Sequence, residues 1–231
     1  GRAGESGVPA LLAEEQARRF DMERAPLIRF LLVKSHEDRY HLAVTAHHIL
    51  MDGWSMPLLM QDLMALYVLR GDRAALPPTR SYADFLAWLE EQDHAASLEG
   101  WAEAMGGIAE PTIVAPVQRD ADNDTMSKMS VLVDTDRTAR LTALATESGV
   151  TVNTLLQAAW GVLLGRITGR ADVVFGATVS GRPADLPGVE TMVGLFINTM
   201  PVRVRIHPDE PVVQMLRRVH SEQAALLDHH S

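Results

Sequence analysis

The chain has 231 residues, 47% hydrophobic and 22% charged, with a formal net charge of −9. This composition suits a globular protein with a real core, leaves room for one large domain or two lobes, and disfavours a binder of phosphate backbones, which needs clustered Lys and Arg. The absence of cysteine excludes disulfides, thiolate zinc sites and a Cys nucleophile. No apolar run is long enough to span a bilayer, and the opening GRAGESGVPA lacks the apolar stretch of a signal peptide, so a cytoplasmic location is expected.

In chain order, the segment from Pro9 to Arg19 reads as a helix rich in Ala, Glu and Leu. A turn at Pro26 leads into an extended run from Leu27 to Lys34, and SHEDR forms a polar hairpin turn. Tyr40 to His47 alternates, with Tyr40, Leu42, Val44 and Ala46 on one face of a strand. Ser55 is placed to cap a helix whose stripe is Met56, Leu59, Met60, Leu63 and Tyr67, with Gly71 after its end. Ser81 and Asp84 form a capping-box-like pair opening a long helix that buries Phe85, Trp88 and Leu89, passes Trp101 and stops near Gly106.

Residues 106 to 128 lose periodicity and read as a crossing linker. Beyond it, Met129 to Val133 is expected to be a strand and Asp136 to Ser148 a helix stopped by Gly149. Thr151 caps a further helix with Val152, Leu155, Leu156, Ala159 and Leu163 inward. ADVVFGATVSG is an apolar strand, and INTMPVRVRI alternates Arg203 and Arg205 against Val202, Val204 and Ile206. A last amphipathic helix runs from Pro211 through Leu216 and Leu227, and the His229–His230 pair reads as its solvated end. Helices and strands in both halves give an α/β (α+β) fold in layers.

The stretch TAHHILMDGWS concentrates polar chemistry. In a regular strand His47 and His48 point to opposite faces, which counts against both ligating one metal. No third ligand is placed at helical spacing to them, so no metal is assigned. Asp52 follows a short bend, and Gly53 permits a positive-φ turn before the helix.

HHILMDG matches HHxxxDG, and the chain resembles the condensation domains of nonribosomal peptide synthetases, relatives of the chloramphenicol acetyltransferase-like acyltransferases. Three further stretches follow in the family's order: YADFLAWLEEQ, GATVSGRP in the position of its strand and floor loop, and VGLFINTMPVRV. The resemblance implies two chloramphenicol acetyltransferase-like lobes, each a mixed sheet packed with helices, with a tunnel between them. Residues 1–110 would be the remainder of the N-terminal lobe, 111–128 the crossing linker and 129–231 part of the C-terminal lobe, in a fragment lacking both ends of the domain.

It further implies amide formation between an upstream carrier-bound acyl or peptidyl thioester and the α-amine of a downstream carrier-bound aminoacyl thioester. The sequence after the glycine is more similar to domains joining two L-configured units. His48 would be the catalytic residue, with His47, Asp52 and Gly53 in support. Trp54, Ser55 and Asn198 would line the tunnel or contact pantetheine, although Trp54 and Ser55 also suit packing and capping. Asp52 would hold its loop by pairing with a cation, with Arg182 or Lys128 as candidates. No cofactor is expected on the domain itself, because the phosphopantetheine arms belong to the carriers. Partners would be the two peptidyl carrier proteins and an adjacent adenylation domain, with no nucleic acid, membrane or obligate homo-oligomer. A CoA-dependent acyltransferase, a non-catalytic carrier-docking module and a metal-dependent hydrolase are the alternatives.

Overall fold

A computed structural model of the chain describes residues 7–115 and 129–229. The chain divides into two compact units, Gly1–Glu91 with Arg182–Ile197, and Gln92–Gly181 with Asn198–Ser231. These units cut across the expected boundaries at 110 and 129. Residues 116–128 of the expected linker, Lys128 among them, lie outside the described residues.

In the first unit, α1 (Val8–Ala17) begins with Pro in its first turn, where a missing amide costs nothing. Strands β1 (Ile28–Lys34) and β2 (Tyr40–Ala46) pair antiparallel, with Phe30 opposite Val44 and Leu32 opposite Leu42. Of the hairpin's two faces, the one carrying Phe30, Leu32, Tyr40 and Leu42 is exposed, while Val33 on the other is buried. The ladder continues one rung past β2, since the His47 amide donates to Leu27 O at 2.9 Å.

Helix α2 (Ser55–Val68) starts at Ser55 itself, and Ser55 is not its cap. The Asp52 carboxylate takes that part, accepting the Ser55 amide at 2.9 Å. Tyr67, expected in the buried stripe, is 81% exposed. Helix α3 (Tyr82–Glu90) is capped by the Ser81 hydroxyl. The Asp84 carboxylate pairs with Arg80 at 3.0 Å. Phe85, Leu186, Val189, Met192 and Phe196 form the core of this unit, with Tyr82 and Trp88 packed against it.

The second unit opens with α4 (His94–Met105). The single long helix expected from Ser81 to Gly106 is therefore two helices, broken where the Asp93 side chain accepts the Ala96 amide and starts a new first turn. Residues 129–134 are exposed and form no strand, because among the described residues no ladder partner lies beside them. Helix α5 (Thr135–Ser148) is capped by Asp134 and ends on Gly149 at φ 71°. Helix α6 (Val152–Thr168) is capped by Thr151. Its buried positions are Thr154, Leu155, Ala158, Gly161, Leu164 and Gly165. Leu156 and Leu163, expected inward, are exposed together with Trp160 and Ile167.

Strands β3 (Asp172–Ser180) and β4 (Ile197–Arg205) are hydrogen-bonded neighbours. Val202 and Val204 are buried with Val173, Leu164 and Val219 of α7 (Val212–Ala224). Gly161 is required at its place: a Cβ there would lie 2.6 Å from the Val204 side chain. On the other face of β4, Arg203 pairs with Asp172 at 2.6 Å and donates to the carbonyls of Ala104 in α4 and of Gly106 just after it. His229 is half-buried against Gly100, and its carbonyl accepts the Trp101 indole at 2.8 Å, so it is not a solvated end. His230 lies outside the described residues. Among the described residues no helix is long and apolar enough to cross a membrane.

Candidate active site

β2 ends at Ala46 and only the His47 amide still bonds across the hairpin, so His48 lies beyond the ladder and the alternation of strand faces does not place it. The two histidines open a turn, closed by the Leu50 amide donating to His47 O at 3.0 Å. His47 is half-buried; its Nδ1 accepts the Ile49 amide at 3.2 Å, and its ring meets the edge of Phe20 with centroids 6.1 Å apart. His48 is exposed on the turn, with no hydrogen-bond or ion-pair partner among the described residues.

Asp52 is the opposite case, at 3% exposure. Its Oδ1 accepts from the Ser55 amide at 2.9 Å and hydroxyl at 2.8 Å, and its Oδ2 from the Phe196 amide at 3.2 Å. The Arg182 guanidinium reaches Oδ1 at 3.4 Å. Burial works against the charge on Asp52, but the Ser55 and Phe196 hydrogen bonds and the Arg182 charge outweigh it and hold the carboxyl below its ordinary range.

Ser55 is fully buried at the centre of this arrangement. Its hydroxyl accepts from the Gly194 amide at 3.1 Å and from Arg182 at 3.0 Å. Its single proton is shared between Asp52 Oδ1 and Gly194 O, at 2.8 and 2.9 Å. A hydroxyl so saturated and enclosed has nothing left for a pantetheine arm, which corrects the expectation that Ser55 lines a channel.

Arg182 also donates to the carbonyls of Val189 and Met192, and its guanidinium lies 3.8 Å from the Phe196 ring centroid. Helix α3 holds the same segment from its side. Tyr82 donates to Leu195 O at 2.6 Å and the Trp88 indole to Asp185 at 3.3 Å. Gly194 is placed so that a Cβ would lie 2.1 Å from Tyr82 Cδ2. The HHILMDG, YADF and VGLF stretches thus meet in one unit, as the wall behind the turn that carries His48.

The remaining candidates are placed as follows. Gly53 does not have positive φ, and nothing lies within 4 Å of where its Cβ would be, so neither turn geometry nor packing requires glycine there. Trp54 is 61% exposed, with its indole tied to Glu190 O at 3.0 Å. Asn198 is exposed in the second unit, its Oδ1 accepting the Thr199 amide at 2.8 Å. Lys128 lies outside the described residues. Among the described residues no group of three His, Cys, Asp or Glu side chains is arranged to hold a metal ion. Sequence reasoning missed Phe196, whose backbone contribution leaves no mark on composition, and the contacts of Phe20 and Arg29 behind His47. The signal for the latter was an arginine on the inner face of β1.

Known proteins similar to this chain are long synthases. One polypeptide of the linear gramicidin synthase of Brevibacillus parabrevis is 42% identical over 217 residues, covering 91% of this chain and 4% of the relative. Bacitracin synthase 3 of Bacillus licheniformis is 34% identical over 226 residues, covering 96% of this chain and 4% of the relative. The chain therefore spans only a small part of the curated relatives it matches. The X-domain from teicoplanin biosynthesis superposes with a TM-score of 0.82 at 30% identity, over 99% of this chain and 53% of that one. The first condensation domain of the CDA synthetase shares the fold, with a TM-score of 0.67 at 22% identity over 97% of this chain and 51% of that one. The mixed α/β fold is that of these domains, and the condensation domain profile matches residues 2–231. The chain belongs to the condensation domain family.

Proposed function

We propose that this chain forms part of a peptide-bond-forming condensation domain of nonribosomal peptide synthesis. The donor would be an acyl or peptidyl thioester on an upstream carrier, and the acceptor the α-amine of an aminoacyl thioester on a downstream carrier. Both would be presented on the carriers' phosphopantetheine arms. An adenylation domain would be the neighbour that supplies the activated amino acid.

One observation carries the reading: His48 stands exposed and unpartnered among the described residues, on a turn backed by the buried hydrogen-bonded group of Asp52, Ser55 and Arg182. An α-amine has a pKa of about 8, so a useful fraction is neutral near pH 7, and a thioester is already an activated acyl donor. Positioning and the handling of one proton are the tasks left. His48 receives the amine proton through an imidazole nitrogen as the C–N bond forms. The C–S bond breaks, and the proton ends on the departing pantetheine thiolate. Asp52 takes no part in that transfer, since both of its oxygens are committed to the loop.

The test loads both carriers, mixes them with the full chain and follows the dipeptidyl thioester by intact mass. Product with wild type, and a loss of about 10²–10⁴ in rate with His48→Ala, supports the reading. Absence of product from wild type rejects it, and acylation by acyl-CoA without any carrier points to the CoA-dependent alternative. A second reading has one observation behind it: a solved structure 29% identical to this chain is a complex of the X-domain and OxyB. A protein-recruiting role without chemistry would leave wild type and His48→Ala equally inert.

A further inference from the structure

We propose that Arg29 is a positioning residue for His48, acting through the rings of Phe20 and His47. The proposal rests on the reading of His48 given above. It starts from the ion pair that ties α1 to β1. Glu15 is a buried carboxylate on α1, and Arg29 on β1 reaches it with Nε at 2.5 Å. The same guanidinium donates to the backbone carbonyls of Arg18 at 2.9 Å and Glu15 at 3.2 Å. The fork is therefore fixed in plane and direction on one side by the carboxylate and on another by the end of the helix.

A guanidinium so fixed presents its face to a ring. Arg29 Cζ lies 3.9 Å from the Phe20 centroid. Phe20 in turn meets His47 edge to face, with an interplanar angle of 88°. Arg29 stands opposite Thr45 in the hairpin, and His47 follows two positions later on the same face. His47 then closes the chain of contacts onto the turn. Its Nδ1 accepts the Ile49 amide, and its carbonyl accepts the Leu50 amide. Accepting at Nδ1 requires that nitrogen to be unprotonated, which places the proton of the neutral ring on Nε2. His48 sits in sequence between the His47 ring and the Ile49 amide bonded to it, while the Leu50 amide closes the turn on the His47 carbonyl; through the ring-to-amide bond the orientation of the His47 ring would bias the backbone that carries His48.

The test uses Phe20→Leu, Phe20→Tyr and Arg29→Lys in the full chain labelled with ¹⁵N at histidine. In wild type the His47 ring is expected to give the Nε2–H tautomer. Phe20→Leu and Arg29→Lys are expected to fold, to mix the His47 tautomers, and to lower kcat for carrier-bound condensation by about ten- to a hundredfold with KM unchanged. Phe20→Tyr is expected to keep both properties. A folded Phe20→Leu or Arg29→Lys chain with the wild-type tautomer and kcat overturns the proposal. Should Phe20→Leu fail to fold, Arg29→Lys, which keeps a charge beside Glu15, carries the same readouts. If wild type itself forms no amide, the reading of the function fails separately, and the tautomer measurement still decides whether Arg29 orients the turn.

Discussion

The backbone amide of Phe196 donates to Asp52 Oδ2 at 3.2 Å, across 144 positions of sequence. This bond ties the turn below His48 to a segment near the other end of the chain. Asp52→Ala removes it, leaves the Ser55 amide without its acceptor and strips Arg182 of its carboxylate, with both side chains of the pair under a tenth exposed. We expect a loss of about 3–5 kcal/mol in urea unfolding, with activity falling as the fold does. A stable but inactive Asp52→Ala chain would contradict this and assign Asp52 to the chemistry.

His48→Ala should behave in the opposite way. The side chain is exposed and makes no hydrogen bond among the described residues, so its removal should change stability by no more than about 0.5 kcal/mol. Circular dichroism melts of variant and wild type should superimpose. A large drop in the variant's melting temperature would show that the ring is part of the packing.

Two glycines separate conformational need from open space. Alanine at 194 would drive its Cβ into the Tyr82 ring, at 2.1 Å, and should cost about 1–3 kcal/mol. Alanine at 53 meets nothing within 4 Å and no left-handed backbone, so it should be neutral within about 0.5 kcal/mol. Denaturant midpoints of the two variants check the contrast, and equal midpoints would refute it.

Several carboxylates are held below their ordinary range: Glu15 by Arg29, Asp172 by Arg203, Glu210 by Arg218, and Asp52 against its burial by Ser55, Phe196 and Arg182. Each favours the folded state when ionised. Their contribution is complete above the ordinary values of 3.8 for Asp and 4.5 for Glu, and is lost as the pH falls through the lower folded values. The urea midpoint should be flat from neutral pH to about pH 5.5 and fall steadily below it. The fall should be shallower in Asp52→Asn. A midpoint independent of pH down to about 3 would show that these pairs add nothing.

What could be read in advance was local. The Thr151 cap and the Gly149 stop each act within one turn, so the sequence nearby states them fully. The strand expected at 129–133 needed a partner that periodicity cannot supply. Helix α6 is apolar on all sides, with Leu155 and Leu164 buried and Leu156 and Leu163 exposed, so its pattern fits either face. At the site, a buried acid beside a helix start calls for a cation, which makes Asp52 and Arg182 a chemically sensible pair. Ser55 was misread because a serine at a helix start resembles a cap, whereas its hydroxyl is spent on Gly194, Arg182 and Asp52.

The segment Arg182–Ile197 lies in the unit of residues 1–91, although β3 before it and nearly all of β4 after it lie in the other. A chimaera that exchanges the front of this chain for a relative's must therefore transplant that distant stretch as well. Breakpoints that respect only linear order would set a foreign Tyr82, Phe85 or Asp52 against an unmatched Gly194 or Phe196. Recombination among members of the condensation domain family is expected to succeed where both pieces are inherited together.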